Sequence, residues 1–209
     1  IISEQYEKQS DNQFDNIISS LKKTLLTFSW LPHRMEIIWE FNNITFIDDG
    51  ISTTPESTIE AIKTFWNKIN TLFLWGWDYG FTKDSYKLLI NSIIKYNIKN
   101  IVLFPDTGLD IFDIWRNKKQ YGDTFSLDIN NIKLNILFTN KMSNAVKFSY
   151  KFTWVNNICL MSCAAPSYSL WTWYIQKWGQ FKEYIEKNKK ENIYFSFFFF
   201  IDFQEIYIL

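Results

Sequence analysis

The sequence predicts an α/β domain: a mostly parallel sheet with helices on both faces, preceded by one antiparallel hairpin strand. Three observations predict it. Short, almost wholly apolar runs (Leu72–Trp75, Asn100–Phe104, Ile158–Met161) read as strands buried on both faces. Stretches with apolar residues at helical spacing alternate with them. The pair Asn42-Asn43 between two apolar runs reads as a tight turn, since Asn tolerates positive φ.

The 209 residues allow one domain, or one plus extensions. Lys+Arg and Asp+Glu are 22 each, which gives no support to a nucleic-acid surface or a polybasic membrane contact. The two cysteines, Cys159 and Cys163, make no disulfide framework; a reduced, cytoplasmic setting is expected. There is no N-terminal signal pattern. The chain starts at Ile1, so a fragment or processed product is expected.

Residues 1–12 are polar and read as a lead-in. From Phe14, apolar Ile17, Ile18, Leu21 and Leu25 fit a helix. Pro32 ends it or its exit loop. Met35 to Phe41 is the first strand, and Ile44, Phe46 and Ile47 continue as its partner. The loop Asp48–Thr54 follows. Thr54-Pro55-Glu56-Ser57 is a strong helix start: an N-cap hydroxyl, Pro at the first helical position, and an acid that suits the dipole. Ile59, Ile62, Phe65 or Trp66, and Ile69 form that helix's buried stripe.

After the strand Leu72–Trp75 comes the loop Gly76–Gly80. Asp78 in it either meets a ligand or caps the next helix, Asp84 to Tyr96. The strand Asn100–Phe104 leads into the loop Pro105–Gly108, and Leu109 to Trp115 reads as helix. Residues 117–131 are polar and ambiguous. A strand Leu134–Phe138, a helix Ser143–Phe152 and a strand Ile158–Met161 follow. Ser162–Ser169 reads as a loop of small residues, and Trp171–Lys187 as a helix. Asn192–Leu209 is an aromatic run. It is marginal for a membrane span, and Asp202 and Glu205 count against one. An accidental extension is the preferred reading, an added edge strand the second.

In parallel sheets ligands bind outside the carboxyl ends of the strands. Asp48–Thr54, Trp75–Gly80, Pro105–Gly108 and Ser162–Ser169 all fall on that edge. The first of these stands close in sequence to His33, the only histidine, and Arg34, one of two arginines. An arginine, an acid and a helix N-terminus suit a phosphate or carboxylate.

Four stretches in order resemble the Mur ligase family, most closely its D-glutamate-adding members. Leu31-Pro32-His33-Arg34-Met35-Glu36 is similar to a G-L-P-H-R-x-E segment. Asp49-Gly50-Ile51-Ser52-Thr53 is similar to a D-S-x-x-T loop. Leu72–Gly80 is similar to L-I-x-G-G-x-D-K-G. Leu160–Phe181 is similar to L-S-P-A-x-A-S…F-K-N-F-E-x-R-G-x-x-F. The resemblance covers about residues 14–188.

It implies ATP-dependent amide formation between UDP-N-acetylmuramoyl-L-alanine and D-glutamate through an acyl phosphate, in peptidoglycan precursor synthesis. It implies a Rossmann-like three-layer C-terminal domain over 30–190. Residues 1–29 become the lead-in and last helix of a central ATPase domain, and 191–209 a tail that is not native. No G-K-[ST] phosphate loop occurs in the chain. ATP and Mg are therefore expected mainly on the other domains, and this chain alone is expected not to catalyse. Neither nucleic acid nor membrane is expected as a partner.

Residue by residue, the resemblance implies that Arg34 and Asp49 meet the nucleotide. Thr53, Tyr79, Ser167 and Tyr174 meet D-glutamate, with Tyr174 at an aromatic position that covers the amino acid. Two positions depart: Ile51 and Tyr79 stand where the family has lysines, and a phenol does not replace the ammonium.

Glycine occurs 6 times, where average usage of about 7% gives roughly 15. Tryptophan occurs 10 times. Trp30, Trp39, Trp75 and Trp178 stand at family glycines. This suggests a gene in which UGA encodes glycine, translated here as tryptophan; otherwise these are ordinary aromatics. His33 is expected to be packed or solvated and not a base, because no triad pattern accompanies it. Cys163 is expected in a loop, mildly exposed, and Cys159 buried in a strand. The alternative function is a non-catalytic ligand-binding or interaction module that keeps the same fold; a folate-glutamylating relative fits the motifs less well.

Overall fold

The computed structural model describes residues 2–27, 31–41, 43–76, 80–106, 108–114, 120–166 and 176–189. The chain divides into two compact units, Ile1–Pro32 and His33–Leu209. The first contains one helix, α1 (Ile2–Thr27), which carries exposed Phe14, Ile17 and Leu21.

The second unit is built on β1 (Glu36–Phe41), β2 (Ile44–Asp49), α2 (Pro55–Phe65), β3 (Ile69–Gly76), α3 (Lys83–Lys95), β4 (Asn100–Asp106) and α4 (Gly108–Ile111). It continues through β5 (Thr124–Ile129), β6 (Ile132–Phe138), α5 (Met142–Phe152), β7 (Ile158–Ala164) and a helix α6 over 176–189. The sheet runs β1-β2-β7-β3-β4-β6-β5. Its five inner strands are parallel; β1 and β5 pair antiparallel at the two edges.

The inner strands are apolar because both faces are covered. One core layer gathers Leu72, Leu74, Ile101, Leu103 and Leu160 with Ile62 of α2 and Leu89 and Ile93 of α3. The other gathers Phe46, Phe73, Trp75, Phe104 and Met161 with Val146 of α5 and Phe181 and Ile185 of α6. Helices therefore lie on both faces of the sheet, giving three layers. Burying such side chains stabilises by about 1.5–3 kcal/mol each. The α2 start is as expected. Thr54 Oγ1 accepts the Ser57 N–H, and Ser57 Oγ accepts the Thr54 N–H. Asn43 takes the positive φ that its turn requires.

Several expectations are corrected. Residues 124–129, left ambiguous, form edge strand β5, joined to β6 through Asn130-Asn131, both at positive φ. Ile69 opens β3 and does not belong to the α2 stripe, because the chain leaves the helix at Phe65. Trp66 is 63% exposed, so Phe65 takes the inward position. The helix expected to reach Trp115 stops at Ile111. β7 runs on to Ala164, which puts Ser162 and Cys163 inside a buried strand and not in a loop. Trp30, Asp78 and the tail from 190 lie outside the described residues. No helix among the described residues is long and apolar enough to cross a membrane.

Candidate functional site

The carboxyl ends of β2 and β7 lie side by side, Asp49 in register with Ser162. The chain leaves β2 toward α2 on one face and leaves β7 toward α6 on the other. Such a divergence opens a crevice at the strand ends.

Asp48 and Asp49 are both fully buried. Asp48 Oδ2 lies 2.8 Å from His33 Nδ1, and its Oδ1 accepts the Gly50 N–H at 2.8 Å. Asp49 Oδ2 accepts from the hydroxyls of Ser52 and Ser162. Its Oδ1 stands 3.4 Å from Arg34 Nη1. Ser162 Oγ is in turn 2.9 Å from Thr58 Oγ1 in the first turns of α2. Burial pushes both carboxyls above their ordinary range. At Asp48 the His33 bond, and at Asp49 the serine bonds and Arg34, work against it.

Arg34 sits between two residues in the left-handed region, His33 (φ 64) and Met35 (φ 46). Non-glycine residues hold that conformation only where surrounding bonds fix it. Here the His33 N–H donates to Glu36 Oε2 at 3.0 Å and the Ile51 N–H to the His33 carbonyl at 3.4 Å. Lys182 of α6 holds the other Glu36 oxygen at 3.0 Å. Arg34 Nη1 also donates to Ser52 Oγ at 2.9 Å. Among the described residues Nη2 and Nε of Arg34 have no partner, and the side chain is 35% exposed. Nη1 of the planar fork is thus fixed from within, while the side chain stays partly open to solvent. A phosphate or carboxylate fits that geometry.

His33 is packed, as expected. Its ring stacks on Trp178 with centroids 3.3 Å apart, closer than the roughly 4.5–7 Å of ordinary aromatic pairs. Trp178 also presses on Gly50, where an added Cβ would overlap the indole. Lys177 beside it is 1% exposed. Its ammonium donates to the Gly50 carbonyl at 2.9 Å and contacts Cys163 Sγ at 3.3 Å, with the Trp75 ring 4.9 Å away. Cys163 is fully buried, against expectation, and burial pushes its thiol up to about 11; Cys159 is pushed to about 12.

Of the expected site residues, Arg34 and Asp49 are brought together, and Thr53 is exposed just beyond Ser52. Tyr79, Ser167 and Tyr174 lie outside the described residues. Sequence reasoning named no site role for Asp48, Thr58, Ser162 or Lys177. Asp48 and Ser162 did head two of the loops expected on the ligand edge, and Lys177 stood out as a lysine on the apolar stripe Trp178, Phe181, Ile185; Thr58 left no signal. His33, Glu36 and Asp48 are the one group among the described residues with three potential metal ligands. It is closed on itself by the bonds above and by Lys182, so it does not fit Mg.

No family model matches the chain. Over 165 residues it is 28% identical to a UDP-N-acetylmuramoylalanine--D-glutamate ligase of Aquifex aeolicus, a match covering 79% of this chain and 35% of that one. The ligases of the same description from Acetivibrio thermocellus (25% over 165 residues, 79% and 33%) and Clostridioides difficile (29% over 169 residues, 81% and 34%) match alike. The chain is thus similar in sequence to ligases of that description, and it spans about a third of the length of the curated proteins it matches. Among solved structures, a MurF ligase from Thermotoga maritima in complex with ADP aligns at a TM-score of 0.49 and 14% identity. That alignment covers 78% of this chain and 33% of the other.

Proposed function

We propose that this chain is the C-terminal, amino-acid-binding domain of an ATP-dependent ligase of peptidoglycan precursor synthesis. The whole protein joins D-glutamate to UDP-N-acetylmuramoyl-L-alanine through an acyl phosphate. Residues 1–29 are the lead-in and last helix of the central ATPase domain, 30–190 the domain itself, and 191–209 a tail that is not native. The exposed Phe14, Ile17 and Leu21 of α1 are consistent with a face that another domain covers.

The observation that carries this reading is the half-anchored Arg34 fork at the sheet's carboxyl edge. Arg34 meets the nucleotide, with Asp49 behind it. The arginine fits ATP as one contact among several. Mg is held mainly on the other domains; at Asp48 and Asp49 both carboxylate oxygens are already engaged. Thr53, with Tyr79, Ser167 and Tyr174, meets the D-glutamate carboxylates; the exposed Thr53 hydroxyl lies just ahead of the α2 N-terminus, which favours anions. Cytoplasmic placement goes with this chemistry.

The test is to express the full reading frame, with Trp or with Gly at positions 30, 39, 75 and 178. Phosphate release from ATP is then measured with UDP-N-acetylmuramoyl-L-alanine, with and without D-glutamate. D-glutamate-dependent release, reduced by Arg34→Ala, is the expected result. No release from either version would sink the reading and favour a non-catalytic module.

A further inference from the structure

A buried lysine needs a reason. Desolvating an ammonium is costly, and lysine is almost never fully buried unless paired. Lys177 is 1% exposed and lies on the inward face of α6, where a leucine or methionine would pack at no such cost. What it does there follows from its contacts. The Gly50 carbonyl accepts from the Lys177 ammonium at 2.9 Å and from the Cys163 thiol at 3.3 Å, so both lone pairs of one oxygen are taken by buried donors. The Gly50 N–H is held by Asp48, and the next N–H, of Ile51, by the His33 carbonyl. Two successive peptides, Asp49-Gly50 and Gly50-Ile51, are thus gripped from α6, β7, β2 and the His33 loop. Two residues on stands Ser52, which sets Arg34 and Asp49, and then Thr53.

We propose that Lys177 is a positioning residue: its ammonium fixes the Gly50 carbonyl, and thereby the 49–54 loop whose Ser52 aims Arg34 and whose Thr53 faces the substrate. The geometry of the loop stands on the contacts above; only its effect on ligands rests on the proposed function. The ammonium further supplies positive charge beneath Asp48, where it opposes the effect of burial on that carboxyl.

The test uses Lys177→Met, which keeps length and removes the charge and donors, and Lys177→Arg, which keeps both. Amide hydrogen exchange is read along the 209-residue chain. In Lys177→Met the Ile51 and Ser52 amides should exchange about tenfold faster or more, the size of one hydrogen bond to a charged donor, while β3 and β4 amides hold. Lys177→Arg should restore most of the protection. A uniform rise across the sheet would make Lys177 a general core residue and overturn the proposal, as would no rise at all. If Lys177→Met does not fold, Lys177→Arg decides: slight loosening confined to 50–53 supports, uniform loosening overturns. In the full reading frame, Lys177→Met should raise KM for ATP and D-glutamate more than it lowers kcat; unchanged KM values would overturn the proposal. A wild type that releases no phosphate would sink the ligase reading and leave the exchange result to stand by itself.

Discussion

The indole of Trp178 lies over the Cα of Gly50 so closely that a methyl group at position 50 would overlap its ring nitrogen. Glycine is required there by a neighbour and not by its own backbone, since Gly50 is not among the positive-φ residues. Gly50→Ala should therefore destabilise the chain by about 1–3 kcal/mol, the usual cost of overpacking. In a Trp178→Gly background the cost should shrink but not vanish, because Asp48 Oδ1 stands 2.9 Å from the same Cβ position. Urea unfolding of the four proteins gives the coupling; equal costs in both backgrounds would show that the overlap is relieved elsewhere.

The same crowding bears on the origin of Trp178, which also stacks unusually close on His33. Trp75, by contrast, is fully buried with its ring edge-on to Phe104 at an ordinary 5.2 Å. The recoding hypothesis predicts UGA codons at positions 30, 39, 75 and 178 and glycine in the corresponding peptides of the protein from its native cells. Sequencing the gene and those peptides decides it, and UGG codons at the four positions end the idea.

Burial raises the folded-state pKa of Asp48 and Asp49 above the ordinary 3.8. The folded chain then binds these protons more tightly than the unfolded chain. The stability they contribute is fully present below 3.8 and is lost as pH rises through the raised values. Glu36 acts in the opposite sense. The His33 N–H holds it below 4.5, so its contribution is present above 4.5 and lost as pH falls through its lowered value. Asp49→Asn should flatten the decline expected of the wild type above pH 3.8. Urea midpoints across a pH series measure this; parallel curves for the two proteins would contradict it.

Both thiols are buried and pushed far above neutral pH, to about 12 at Cys159 and about 11 at Cys163. A thiol without thiolate is a poor nucleophile. At pH 7–8 the folded chain should react with a disulfide reagent only as fast as it opens, and with two thiols at once in denaturant. Rapid reaction of Cys163 in the folded chain would show that β7 is open at its carboxyl end, and rapid reaction of Cys159 that it is open at its start.

The turn pairs show how much of the fold could be read. Asn42-Asn43 was legible because apolar strands flank it. Asn130-Asn131 is the same dipeptide, with Phe125, Leu127 and Ile129 alternating before it and Ile132, Leu134 and Ile136 after it. Its signal was present, but Ser126, Asp128 and the polar residues from 117 to 123 masked it. On an edge strand the alternate residues face water.

By itself the sequence determined the alternation of strands and helices, the Thr54 cap, the edge on which the polar loops gather and the approach of Arg34 to Asp49. Those are local: periodicity, capping chemistry and a hairpin only 15 residues across carry them. Tertiary structure decided what closes around Asp49. Ser162 is 113 residues away, and Lys177 is 127 residues from Gly50. They meet because β7 slips between β2 and β3 and α6 folds back over its end. A buried carboxylate must find donors wherever the fold brings them, and no spacing along the chain records which donors those will be.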